Sequence, residues 1–159
     1  MIRLDYSGLE EATDAIHKMN LGVGKNITKL VKKLTEDVVG EMRERVPTWK
    51  GDLKSSISAE YTKRGDTAYG TAQATSNHAG PIELGTGTHG PRGRRYFPNP
   101  ANLEEWALDH GFRSGYHAAY MIYLNGGTKA TEFAKQSFIK VARDNLGRAA
   151  DQFLKDLEN

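Results

Sequence analysis

The chain has 159 residues, a formal net charge of +2, 38% hydrophobic residues and no cysteine. That length suits one domain with a real core, and zero cysteines exclude a disulfide framework, cysteine-ligated zinc and a thiol nucleophile. No stretch approaches the roughly 20 apolar residues of a membrane span, and Met1-Ile2-Arg3-Leu4-Asp5 has no signal-peptide run, so a soluble protein made in a reducing cytoplasm is expected. Basic and acidic side chains balance over residues 1–47, 48–85 and 131–159, which leaves the whole excess in 86–130. There Arg92, Arg94 and Arg95 cluster with no acid nearby. This is one basic loop on a balanced protein, not the broad basic footprint of a general DNA-binding face.

Ser7 is a candidate N-cap for a short helix over 8–19, with Leu9, Ala12, Ile16 and Met19 at helical spacing. Asn20-Leu21-Gly22-Val23-Gly24 predicts a break or kink, since two glycines weaken a continuous helix. Ile27, Leu30, Val31, Leu34, Val38, Met42 and Val46 then recur at three and four, with Lys29, Lys32, Lys33, Glu36, Asp37 and Glu44 facing away. This predicts a helix from about 25 to 46, ended by Pro47.

Beyond the turn Trp49-Lys50-Gly51-Asp52 the period becomes two: Leu53, Ile57, Ala59 and Tyr61 share one strand face, Ser56, Ser58 and Glu60 the other. Lys63-Arg64-Gly65-Asp66 turns the chain into a second strand, whose small face (Ala68, Gly70, Ala72, Ala74) suits close packing on the long helix. Arg64-Gly65-Asp66 also spells an adhesion tripeptide, but hairpin-turn chemistry accounts for it. Residues 86–98 read as an irregular loop. Asn99-Pro100 caps a short helix closed by Gly111, with Leu103, Trp106, Ala107 and His110 as its buried stripe. Over 113–127, Tyr116, Tyr120, Met121 and Tyr123 fit helix or strand. A last helix covers about 131–157, with Phe138, Val141, Ala142, Ala149, Phe153 and Leu157 on one side.

Gly85, Gly87 and Gly90 show the G-x-G-x-x-G spacing of a dinucleotide cradle. That cradle needs a strand before it and a helix N-terminus after it. Pro81-Ile82-Glu83-Leu84 is too short for a central strand, and Pro91-Arg92-Gly93-Arg94-Arg95 cannot start a helix at once. His78, His89, His110 and His117 lie close in sequence with Glu83 and Asp109, yet no pair has i, i+4 spacing on a clear helix, so scattered packing or surface histidines are the better reading. No Gly-x-Ser-x-Gly elbow is present, and nothing marks Glu60 and Glu83 as a tuned carboxylate pair. No catalytic, metal or cofactor site is expected. Arg94-Arg95-Tyr96-Phe97 could grip a phosphate backbone and stack a base, or dock on a neighbouring subunit.

"RVPTWKGDLKSSI" (Arg45–Ile57) and "HAGPIELGTG" (His78–Gly87) together resemble two motifs of the neck and minor tail-component family of long-tailed bacteriophages. Lys50, His78 and Leu84 depart from the usual residues, the prolines expected near Phe133 are absent, and residues 86–127 look like an insertion in a core of about 8–85 and 128–158. The resemblance implies an α+β fold, a long N-terminal helix and a C-terminal helix packed on a small antiparallel sheet, with an inserted loop and helix region. It implies a structural virion protein, a head–tail connector or tail-completion protein and no enzyme. Such a protein forms a homomeric ring, hexamer or dodecamer, around the DNA channel, assembled in the host cytoplasm beside head-closure and tail proteins. A tail-tube terminator is a related alternative; a nucleic-acid-binding protein or metal-dependent nuclease using the basic loop is an alternative of another class. Pro47, Gly51, Leu53, Glu83, Gly85 and Thr86 take turn-forming roles in this reading. Leu53 and Ile82 enter the sheet, and Glu83 caps a turn or pairs across a subunit boundary. Arg92, Arg94 and Arg95 meet a neighbouring protein or DNA in the lumen.

Overall fold

Helix α1 (Ser7–Arg45) is one uninterrupted run of 39 residues, about 58 Å long. The break expected at Asn20–Gly24 is therefore absent. Each glycine costs a helix roughly 1 kcal/mol against alanine, and with no proline before Pro47 the flanking helical segments carry the chain through. The computed structural model describes residues 7–65 and 67–158, and side chains within 23–65 and 67–145 and at 147, 148, 151, 152 and 155. The side-chain stripe of Leu9, Ala12, Ile16 and Met19, Asp66 of the hairpin turn, and Ala149, Phe153 and Leu157 lie outside these described positions.

Strands β1 (Ile57–Arg64) and β2 (Thr67–Ala74) form a two-stranded antiparallel hairpin. Gly65 turns it at φ 58°, a left-handed conformation that glycine adopts without strain. Short helices α2 (Asp52–Ser55), α3 (Ala79–Leu84), α4 (Glu104–Asp109) and α5 (Gly115–Leu124) follow α1, and α6 (Phe133–Glu158) closes the chain. The fold is α+β.

The chain divides into two compact units. The first comprises the described residues of Met1–Glu41, Ser58–Gln73 and Ser137–Asn159. In it the small face of β2 meets α1 as its composition predicts. A Cβ on Gly70 would collide with the Thr35 hydroxyl and lie 3.1 Å from Val31 Cγ1. Thr35 is buried, and its hydroxyl is satisfied by donating to the Val31 carbonyl at 2.7 Å. Tyr61 donates to Glu36 at 3.2 Å and Lys32 sits 5.4 Å from the Tyr61 ring centroid. Desolvation of the phenol, with the hydrogen bond and charge of Glu36 beside it, raises the Tyr61 pKa. Lys140 pairs with Glu41 at 2.6 Å and Asn145 donates to Asp37 at 3.1 Å, which ties α6 along α1. Val39, Ser137 and Val141 are buried. Phe138, expected on the buried side of α6, is instead 65% exposed. The inward line at the start of α6 is Phe133, Ser137 and Val141, spaced by four, and Phe138 lies one position off it.

The second unit comprises Met42–Ile57 and Ala74–Gln136. Pro47 stands two residues past the end of α1, where Val46 still donates to the Met42 carbonyl. Gly51 takes φ 87° and its carbonyl accepts from Ser55, opening α2. Leu53 thus lies on a helical turn and not on β1, because the left-handed Gly51 folds the chain back before it can extend. Leu53 is still buried, with Met42, Val46, Ile57 and Phe133. Arg43 donates to the Ile57 carbonyl at 2.6 Å.

Replacing Gly70 by alanine should cost about 1–3 kcal/mol of stability through overpacking. Adding Thr35→Ala should recover part of it in thermal melts. Equal losses in the single and double variants would refute the packing of the hairpin on α1.

Candidate assembly interface

Residues 78–84 do not feed a sheet. Ile82 donates to the His78 carbonyl at 3.1 Å, so His78–Leu84 winds into α3, with Pro81 near its start where a missing N–H does no harm. Ile82 therefore lies in a helix, contrary to the extended path expected for it. Its carbonyl accepts both the Thr131 amide and the Thr131 hydroxyl at 2.9 Å, and the Glu83 carbonyl accepts from the Glu132 amide at 3.1 Å. The Glu83 side chain acts as a cap: Oε2 accepts from Ala134 N at 2.8 Å and Oε1 from Lys135 N at 3.1 Å. A carboxylate some fifty residues upstream thus fills the orphan donors at the start of α6, where negative charge is also favoured by the helix dipole. Glu132 stands before that helix at φ 50°. Hydrogen bonds from Lys135 and Gln136 hold its carboxyl below the usual range.

The glycines next in line are occupied by other backbone. Thr86 N donates to Thr128 O at 2.8 Å, Thr88 N to Gly126 O at 2.6 Å, and the Thr86 and Thr128 hydroxyls meet at 2.7 Å. A Cβ on Gly85 would lie 2.8 Å from Thr128 O and Ala130 N. One on Gly87 would strike Gly126 O, and one on Gly127 would strike Thr86 O. Gly85, Gly87, Gly126 and Gly127 all have positive φ. The G-x-G-x-x-G spacing thus serves a close approach of two backbone segments, 85–90 and 125–128, which leaves no room there for a pyrophosphate. Gly126-Gly127-Thr128 supplies the other half of this contact, and the two adjacent glycines are its sequence signal.

Between the halves of this clasp runs the inserted region. Asn99 caps a 3-10 turn over Pro100–Leu103, its side chain accepting from Ala101 N at 3.1 Å. Helix α4 continues from it and ends before Gly111, at φ 78°. Of the expected stripe Ala107 is buried and Leu103 and Trp106 half-buried, but His110 is exposed. His110 stacks on Trp106 at 4.4 Å, its Nδ1 2.8 Å from the Trp106 carbonyl. Trp49 donates to Asp109 at 2.9 Å, and Lys50 pairs with Glu105. The ambiguous stretch is helix α5, opened by Ser114, whose side chain accepts from His117 N at 3.2 Å. Gly115, Ala118 and Ala119 are its buried residues, and a Cβ on Gly115 would lie 2.8 Å from Glu104 N. Tyr116, Tyr120, Met121, Tyr123 and Leu124 are exposed.

Arg92, Arg94 and Arg95 lie on the chain between Gly90 and Pro98, all exposed. Arg95 reaches the Tyr123 ring at 6.0 Å, and Phe97 packs against Tyr116 at 5.5 Å and Tyr123 at 6.1 Å. Arg92 and Arg94 make no ion pair among the described residues. His89 Nε2 lies 3.2 Å from the Asn125 carbonyl. Among the described residues no three His, Asp or Glu side chains converge as a metal ion requires, and no helix is long and apolar enough to cross a membrane.

A long helix, a hairpin laid on it and a short helix followed by the first glycines of the clasp make up the stretch bearing both motifs quoted from the sequence, and that stretch matches the model of a bacteriophage tail-component family. The family is the HK97-gp10-like family, described as a candidate tail-component of bacteriophage HK97, and it matches residues 10–85. The match ends at Gly85, where the clasp begins, and covers neither the insertion nor α6. No curated protein and no solved structure matches the chain.

Glu83→Ala should cost about 1–2 kcal/mol, as loss of a helix cap does. Gly127→Ala should cost more, since its new methyl meets backbone that cannot turn aside. A Gly127→Ala protein melting at the wild-type temperature would refute the clasp.

Proposed function

We propose that the protein is a connector of the phage neck, a ring of copies of this chain that joins head to tail around the DNA channel. The observation that carries this reading is the match of residues 10–85 to a family of tail components, a stretch that includes α1 from Glu10 onward, the hairpin and α3. The near-balance of charge, +2 over 159 residues, supports it, since copies can pack densely without strong self-repulsion. A ring built from one chain needs a heterologous contact that closes. In this reading the chain works as a scaffold in the virion, without catalysis, after assembly in the host cytoplasm. Its partners are other copies of itself, head-closure proteins and tail proteins. The arginine loop then meets either a neighbouring protein or, through screened charge, the DNA in the lumen.

Virions made without this protein should accumulate as filled heads and separate tails of normal length, seen by negative-stain electron microscopy. Tails of uncontrolled length would instead favour the tail-tube terminator. Normal joining in its absence, or metal-dependent DNA cleavage by the purified protein, would overturn the connector reading.

A further inference from the structure

Helix α5 is built inside out. Its buried positions are Gly115, Ala118 and Ala119, whereas Tyr116 is 63% exposed, Tyr120 46% and Leu124 45%. Large apolar side chains are ordinarily the ones buried, so a contiguous exposed set marks a surface that something covers. The set continues onto the arginine loop through the contacts of Phe97 with Tyr116 and Tyr123 and of Arg95 with Tyr123. Tyrosine, phenylalanine, methionine and arginine are the residues enriched at the centres of protein interfaces, and acidic residues are depleted there. Here no acid occurs from His110 to Thr131, nor from Gly85 to Asn102.

We propose that Arg92, Arg94, Arg95, Phe97, Tyr116 and Tyr120 form a docking surface for a segment of a different protein that carries acidic side chains beside apolar ones. Charge complementarity sets the acidic half of that description, and the exposed tyrosines set the apolar half. Duplex DNA matches the arginines but not the rings, because its bases are stacked inward and its outer surface is phosphate. A second copy of this unit is a poor match for the arginines. Within the unit Glu83, Glu104, Glu105, Asp109 and Glu132 each already accept a hydrogen bond, so a second copy of it would bring the arginines mainly carboxylates that are already engaged. The inference rests on the reading of the chain as an assembly component. The binding measurement reads the surface alone, so either can fail while the other stands.

The probes are a glutamate–tyrosine copolymer, polyglutamate and a duplex DNA of equal charge, each titrated onto the intact purified protein. The copolymer should bind about tenfold or more tighter than polyglutamate. Arg92→Ser, Arg94→Ser and Arg95→Ser combined should abolish that binding, and Tyr116→Ser with Tyr120→Ser should remove the preference over polyglutamate. All five positions are exposed, and unchanged melting temperatures confirm that these variants fold. Equal binding of polyglutamate, tighter binding of the duplex, or no binding of the copolymer would each overturn the proposal. So would self-association of the wild-type protein in sedimentation that the tyrosine substitutions abolish, which would assign the surface to a second copy.

Discussion

The second unit depends on two backbone segments lying against each other with nothing between them. Glycine makes this possible: at Gly85, Gly87 and Gly127 a single methyl would meet backbone carbonyl oxygen or amide nitrogen, and at Gly126 it would meet the Thr88 hydroxyl. Hydrogen bonds then bind the segments directly, backbone to backbone and threonine to threonine, from Ile82 to Lys135. The start of α6, the path of the arginine loop and the place where α5 ends are all set by this contact. Removing a surface ion pair such as Lys50–Glu105 would matter little beside it, since exposed pairs contribute at most about 1 kcal/mol.

The first unit is held in another way. Its hairpin contributes no large side chain at the point of closest approach, because Gly70 lets β2 sit directly on Val31 and Thr35 of α1. Along α1, Asp37 and Glu41 then bind Asn145 and Lys140 of α6. Among the described residues, small and satisfied polar groups thus join Val39 and Val141 in packing this unit.

Much of this was legible in the sequence where a local rule decides. Pro47 stops the long helix, Asn99-Pro100 starts a turn, the Arg64-Gly65 corner makes a hairpin, and the small face of β2 announces close packing. Propensity misled at Gly22 and Gly24, because a cost of about 1 kcal/mol each is small beside the propagation of a 39-residue helix. Leu53 and Ile82 resemble strand residues because they are apolar and lie near a strand, but the left-handed Gly51 and the hydrogen bond from Ile82 to His78 put both on helical turns. The partners of Glu83 and of the glycine motif lie some forty to fifty residues away, and no local pattern reports such a distance. The exposed tyrosines of α5 were illegible for the same kind of reason. Their spacing fits a helix whichever side faces out, and only the alanines packed beneath them fix the direction.

The clasp also bears on how a protein of this kind changes over generations. Thr86 and Thr128 are 42 positions apart and yet their hydroxyls touch, so the intervening chain leaves and returns at one point. The entropy of closing such a loop rises only slowly with its length. Whatever lies between Gly90 and Asn125, inside the two clasped segments, can therefore lengthen, shrink or be exchanged while the frame that holds it stays the same. The family match stops at the residue before this gate. Beyond it a lineage is free to vary what the molecule meets without rebuilding what the molecule is.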